Sequence, residues 1–175
     1  IGKTFKKIKT SLNARYNYSK TYQFINSVEN INELNSQSYT ASVGTNFRNA
    51  PNLTFKYRLG LTDQSNNASA EDNKGVTHAP SISFDAYVWK SLTIRTDFSY
   101  NEVRQNGITQ NTFSILDASL AYRKDKDAKW EYELVGSNLL GTGSSASVNT
   151  SNILFSINET FILPRFVSVR VRYQI

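Results

Sequence analysis

The chain ends on "FVSVRVRYQI" (166–175), in which two kinds of side chain alternate strictly. Counting every second residue from Val167 gives Val, Val, Val, Tyr and Ile, whereas the intervening residues are Ser, Arg, Arg and Gln. A period of two is the pattern of a β-strand with one apolar and one polar face. The segment therefore predicts a strand that carries Arg170 and Arg172 on the face opposite its valines.

The same alternation recurs along the rest of the chain. It is found at 8–18, 39–47, 53–61, 82–88, 92–100, 116–123 and 130–135. In each segment one series of residues is apolar and nearly free of charge, and the other series is polar or charged. With the terminal segment this predicts about eight strands, and no segment of helical length has a convincing 3.6-residue period.

The predicted connections are alternately short and long. Short, turn-like segments lie at 48–52, 89–91 and 124–129, whereas polar stretches rich in Asn and Ser lie at 25–37, 64–79, 102–111 and 138–160. Outer-membrane barrels have this asymmetry, with tight periplasmic turns and long extracellular loops. The sequence thus predicts an all-β, antiparallel, up-and-down transmembrane β-barrel in a bacterial outer membrane. We expect a periplasmic C-terminus, extracellular long loops, and a first strand that rises from the periplasm near Ile1.

The distribution of charge indicates which face would meet lipid. A charged side chain on the lipid face costs about 2–4 kcal/mol at the bilayer midplane, so we expect the apolar series to face lipid. The charged residues expected in the lumen are Arg15, Lys56, Arg58, Arg95, Asp97, Arg123, Glu131, Glu133, Arg170 and Arg172, together with Lys7, Lys9, Arg48, Asp85 and Asp117. Basic residues outnumber acidic ones in this set, which favours a wide, wet lumen because unpaired buried charge is costly.

Aromatic residues gather near the predicted strand ends. They are Phe47, Trp89, Tyr122, Trp130 and Tyr173 near the short turns, and Tyr18, Tyr39, Tyr100 and Phe113 near the long loops. Amphipathic rings favour the level of the lipid headgroups. Their positions therefore agree with a strand that crosses a bilayer.

The composition argues against several other classes of function. The chain has no Cys, which excludes disulfides and thiolate metal sites, and no Met, from which we expect that an upstream part was removed. The net charge of +6 comes from dispersed Lys and Arg, a pattern that argues against nucleic-acid binding. His78 near Glu71 and Asp72 defines no metal geometry, and Glu131 and Glu133 fit lumen carboxylates near Arg123 or Arg172. We therefore predict no enzymatic activity and no cofactor.

Three short motifs carry a resemblance to a known family. They are "NTFSILDASLAY" (111–122), "NLL" (138–140) after the penultimate strand, and "LPRF" (163–166) before the last one. With the alternating C-terminus, they make the chain resemble the C-terminal barrel region of TonB-dependent outer-membrane receptors of Bacteroidetes, of the flavobacterial type. The resemblance covers most of the chain and is densest from about residue 80 onward. It implies a 22-stranded barrel with an N-terminal plug.

The resemblance also implies a function and partners. Residues 1–175 would be the C-terminal portion of one barrel domain, without the plug. Such receptors import a scarce nutrient, such as a siderophore, glycan or peptide, or serve as the barrel subunit of an outer-membrane complex. The implied partners are lipid, the remaining strands and plug, a TonB-type energy coupler acting through the plug, and a surface lipoprotein or other complex subunits. Val169, Val171, Tyr173 and Ile175 suit the C-terminal signal for barrel assembly, although many family members end on Phe or Trp.

Two alternatives remain open at this point. The first is a self-contained eight-stranded outer-membrane barrel that acts as an anchor or adhesion protein without transport, since eight strands can close around a side-chain-filled interior. The second is a soluble β-sandwich or lipocalin-like barrel, which also alternates. Excess lumen charge counts against the small barrel. The strict alternation of short and long connections counts against the soluble fold.

Overall fold

The computed structural model of the chain describes residues 1–47, 51–67, 72–89, 91–125, 127–150 and 155–174. It contains eleven strands: β1 (Gly2–Phe5), β2 (Ile8–Ile25), β3 (Val28–Thr45), β4 (Asn52–Asn66), β5 (Asn73–Val88), β6 (Leu92–Gln105), β7 (Ile108–Arg123), β8 (Trp130–Ser137), β9 (Ser144–Thr150), β10 (Phe155–Phe161) and β11 (Phe166–Tyr173). Nine of them form one antiparallel sheet in the order β1-β2-β3-β4-β5-β6-β7-β8-β11, and β9 pairs with β10 as a separate hairpin. Within these ranges no helix is long and apolar enough to span a membrane.

The all-β, antiparallel, up-and-down architecture is confirmed, but the sheet is open. Its edges are β1 and β11, and these two strands are not paired with each other. Leu12 pairs with Ala41, and Val169 pairs with Leu134. The described strands therefore do not form the closed eight-stranded barrel that the small-barrel hypothesis requires.

The three predicted short turns lie at one end of the sheet, which we call the short-turn end. Chain segments 46–51, 89–91 and 124–129 connect β3 to β4, β5 to β6 and β7 to β8 there. Residues 48–50, 90 and 126, and with them Arg48, lie outside the described residues. Short connections are thus confirmed at this end.

Long loops at the opposite end, which we call the hairpin end, were wrongly predicted. Pairing continues through most of 25–37, 64–79 and 102–111, to the pairs Ile25 with Val28, Gln64 with Asn73 and Gln105 with Ile108. The apolar/polar contrast disappears in these stretches because both faces are polar there, while the backbone ladder continues unchanged.

Two hairpins close on two-residue turns at the hairpin end. Asn26 and Ser27 both have positive φ angles, as do Asn106 and Gly107. Two successive positive φ angles are the type I′ arrangement, which matches the twist of the flanking strands. The Asn-Gly pair was a hairpin signal in the sequence that the loop prediction overlooked.

Three strands were missed altogether. β9 and all but the last residue of β10 lie within the predicted loop 138–160, and β1 folds back on β2 through Lys6 and Lys7. The first strand therefore does not rise from Ile1. The Ile1 carbonyl accepts a 2.8 Å hydrogen bond from the Leu12 amide, so the chain begins beside the middle of the predicted strand. The sheet has nine strands instead of eight because this short arm is added to its edge.

Candidate functional site

The register brings the apolar series of the predicted strands onto one face of the sheet. Directly paired residues of an antiparallel ladder share a face. One row of pairs runs from Val169 through Leu134, Leu120 and Ile94 to Ala86. A second row runs from Phe98 through Ile82, Phe55 and Val43 to Thr10. We call this side the apolar face and the other side the polar face.

The apolar face carries an uncharged band of nearly constant height. On β4 it runs from Leu53 to Leu61, which is about 27 Å at roughly 3.3–3.4 Å per residue. Towards the hairpin end, charge begins at Asp63 on β4 and at Glu102 on β6, and Glu102 lies in the row of Leu59. Lys3, on the edge strand β1, is the exception in the described part of this band.

The side chains of the apolar face are exposed, whereas in a soluble protein apolar residues are inside. Val169 is 69% exposed and Leu12 58%, whereas Asn32 and Glu133, on the polar face, are 0% and 6% exposed. Among the described residues, the only buried hydrophobic side chains are those of Ala86 and Val135. Eight strands about 4.8 Å apart give the band an area of about 1,000 Å², well beyond the few hundred Å² of apolar patch usual on a soluble monomer.

Aromatic side chains border the band. Trp130 and Tyr173 are paired near the short-turn end, with ring centroids 4.8 Å apart. Tyr18, Tyr39 and Tyr100 border the band on the other side, but they lie within strands and not at strand ends as predicted, because the hairpins continue past them.

Two carboxylates and Arg172 form an ion-pair network on the polar face of β8 and β11. The Arg172 guanidinium donates from Nη1 to Glu131 Oε1 at 2.7 Å and from Nη2 to Glu133 Oε2 at 2.9 Å. Arg170 Nη1 lies farther from Glu133 Oε2, at 3.7 Å. Of the two expected partners, Arg172 is therefore the one used. Arg123 instead donates to the Ala128 carbonyl and the Gln174 amide oxygen.

The remaining predicted lumen charges are segregated across the polar face. Lys9, Arg15, Lys56 and Arg58 lie on the polar face of β2 and β4, and within the described ranges none of these four makes an ion pair. Farther across the sheet, Arg95 lies directly opposite Asp85 on the neighbouring strand, and Asp97 lies directly opposite Asp117. Lys7 lies in the turn between β1 and β2 and not within a strand. Only the register shows this segregation, because it depends on which strands are neighbours.

Asn138 joins all three of the quoted motifs, a role that was not predicted. It is 3% exposed, and its Nδ2 donates to the carbonyls of Thr142 at 2.7 Å and Leu163 at 3.0 Å. Its Oδ1 accepts from the Thr142 amide at 3.0 Å, and its own amide donates to Asp117 Oδ1 at 2.8 Å. The first residue of "NLL" thus binds the first residue of "LPRF" and fixes the base of the β9–β10 hairpin.

Two ion pairs lie towards the hairpin end. Lys20 Nζ lies 2.7 Å from Glu33 Oε1, and hydrogen bonds from Lys20 and then Tyr18 lower the pKa of Glu33. Arg104 Nε lies 2.6 Å from Glu102 Oε1, and this hydrogen bond is the main cause that lowers the pKa of Glu102.

His78, the single histidine, lies on the apolar face directly opposite Leu59 of the band. Its Nδ1 is 2.6 Å from Tyr57 Oη. Nowhere in the described ranges do three or more His, Cys, Asp or Glu residues gather as a metal site. Of the two acids near His78 in sequence, Glu71 lies outside the described residues.

Comparisons with known proteins give no identity. No family model matches the chain, and neither a curated protein nor a solved structure matches it. The resemblance drawn from the motifs therefore stays a prediction, and the functional argument rests on the two faces of the sheet.

Proposed function

We propose that this sheet is a section of the wall of a bacterial outer-membrane β-barrel, with its apolar face in lipid and its polar face towards the lumen. The observation that carries this proposal is the exposure of the uncharged band on the apolar face. The uncharged band is about 27 Å high, close to the roughly 25 Å apolar band of outer-membrane barrels. A water-soluble sheet of this size would need a second layer over the band, and the described residues supply none.

The same geometry supports an orientation. The short-turn end, with the C-terminus, is periplasmic. The hairpin end is extracellular, and on β2 the strand continues from Tyr18 to Ile25, about 23 Å past the band. Charged pairs such as Lys20 with Glu33 then lie in water outside the membrane.

The unpaired edges of the sheet support the proposal that further strands complete the barrel wall. β1 covers β2 only from Ile8 to Ser11, and β11 has β8 on one side alone. Inside hydrocarbon, unpaired backbone groups cost several kcal/mol each. Further strands of the same barrel satisfy them. Val169, Val171 and Tyr173 on β11 fit the assembly signal proposed for the C-terminus, and Ile175 lies outside the described residues.

Within such a barrel the chain serves nutrient import. The resemblance supports a receptor that is energised by a TonB-type coupler through a plug outside this chain, either alone or as the barrel subunit of a complex with a surface lipoprotein. The unpaired charges of the polar face support a water-filled path and not a packed interior. The open sheet gives no support to the small anchor barrel.

Cysteine labelling in native membranes tests the lipid-facing assignment. The chain has no cysteine, so a single introduced cysteine is the one thiol within it. We make Val169→Cys and its neighbour Ser168→Cys in the full-length protein and add a water-soluble maleimide to isolated outer membranes. Ser168→Cys is expected to react and Val169→Cys to react only after denaturation. In water the order would reverse, because Val169 is the more exposed of the two, and that result would refute the proposal.

A further inference from the structure

Lys9, Arg15, Lys56 and Arg58, which we call the basic cluster, are arranged in two diagonal pairs. Arg15 is paired with Ser38, whose other neighbour on β4 is Gly60. Arg58 is paired with Thr40, one alternate position nearer the short-turn end. At about 4.8 Å between strands and 6.7 Å between alternate residues, the Cα atoms of Arg15 and Arg58 lie about 12 Å apart, and two arginine side chains can span that separation.

Lys9 and Lys56 form the second diagonal pair lower on the same strands, with the opposite slope. Lys9 is paired with Gly44, whose other neighbour is Thr54, and Lys56 is paired with Ser42. Ser42 is also hydrogen-bonded to Ser11 on β2, with the two Oγ atoms 2.8 Å apart. The four cations therefore border an area of about 10 by 20 Å on the polar face.

The floor between the two basic strands is made of small residues of β3. Ser38, Thr40 and Ser42 are half-buried and Gly44 is buried, whereas all four cations are exposed. A Cβ atom added at Gly44 would lie 2.7 Å from Thr54 Oγ1, so the lower floor has no room for a larger side chain. The cluster is thus a shallow basic depression with hydroxyl groups at its base.

No acidic side chain of the sheet compensates this charge. On the next strand, β5, the residues opposite Lys56 and Arg58 are Ser81 and Ala79. The first acidic residue on that strand, Asp85, lies opposite Asn52, two alternate positions below Lys56. In the described part of the chain the ion pairs of the polar face are confined to β8 and β11. The cations of the cluster therefore keep their donors available for a ligand.

We propose that the basic cluster binds a small polyanion, a molecule with at least two phosphate or carboxylate groups, on the lumen side of the barrel. This inference rests on the proposed function and names the chemical class of the cargo. Each diagonal pair holds one anionic group over the small residues of β3. Arginine suits this role because its guanidinium presents a planar fork to the paired oxygens of phosphate or carboxylate.

Calorimetric titration of the full-length protein in detergent tests the proposal. The probes are pyrophosphate and, in a second arm, citrate, which separates phosphate from carboxylate recognition. Arg15→Gln and Arg58→Gln, on different strands, are each expected to weaken binding by roughly tenfold or more, as for a lost charge-assisted hydrogen bond. Lys20→Gln is the matched control, because it removes the same charge from β2 on the opposite face, where Lys20 is paired with Glu33. Heat-modifiable migration on gels verifies that each variant is folded.

The outcomes separate this proposal from the one it rests on. Loss of binding in both arginine variants with no change in Lys20→Gln supports the basic cluster as the site. If neither pyrophosphate nor citrate binds, the proposal is overturned. An equal loss of binding in Lys20→Gln also overturns it, because that result would indicate attraction by net charge alone. A maleimide pattern that still protects Val169→Cys would then leave the membrane wall standing without the anion site.

Discussion

Replacing Arg172 with Met is expected to destabilise the terminal strand, because two carboxylates lose their nearest cation. Arg172 donates to Glu131 at 2.7 Å and to Glu133 at 2.9 Å, and the Glu133 side chain is only 7% exposed, so water cannot replace the lost donor. Removing one partner of a fully buried pair costs about 3–5 kcal/mol. Because 52% of the Arg172 side chain is exposed, we expect a smaller cost, about 2 kcal/mol.

Arg170→Met is the matched control for this prediction. Arg170 contacts the same carboxylate at 3.7 Å, and 55% of its side chain is exposed, so we expect a loss below about 0.5 kcal/mol. Adding Glu133→Gln to Arg172→Met should recover part of the loss, since the charge left unpaired is removed. Urea titration of the full-length protein in detergent, followed by heat-modifiable migration, gives the free energies of unfolding. A greater loss in Arg170→Met than in Arg172→Met, or strict additivity in the double variant, would refute the network.

Three further changes examine other parts of the sheet. Val169→Arg should lower the free energy of unfolding by about 2–4 kcal/mol and reduce the amount of folded protein recovered in outer membranes. Arg170→Val should leave that amount unchanged. Equal recovery of the two variants would count against the face assignment. Asn138→Ala should cost about 1–3 kcal/mol, because buried backbone groups lose their partner, and should speed proteolysis between 144 and 161. An unaltered cleavage rate would show that Asn138 does not fix the base of the β9–β10 hairpin. The lowered pKa of Glu33 contributes stability that is present above the ordinary carboxyl pKa and is lost as the pH falls through the lower pKa of the folded state. Lys20→Gln should therefore raise the midpoint of the Glu33 titration measured by NMR. An unchanged midpoint would exclude the ion pair.

The faces of the strands could be predicted because apolar and polar residues alternate within the band. Beyond the band that contrast is absent, as at 17–23. Both faces of the strand carry polar residues there, so neighbours such as Tyr22 and Gln23 do not mark an apolar and a polar face. Strand length there depends on backbone pairing and on the tip turns, which the side-chain period does not report. The pairing of Arg172 with Glu133 could be anticipated from two complementary strands. The hydrogen bonds of Asn138 could not, because Thr142 is bound through the local conformation of 138–142 and Leu163 is brought back only by the β9–β10 hairpin.

The paired length of β2 and β3 limits how their hairpin can change in evolution. Its 18 residue pairs end on a turn of two residues, so one residue added to a single strand would shift the ladder on one side of the insertion. A one-residue shift exchanges the two faces of a strand. Lineages can therefore lengthen or shorten this hairpin without inverting any side chain only by two residues in each strand, four in all, which changes its reach in steps of about 6.8 Å.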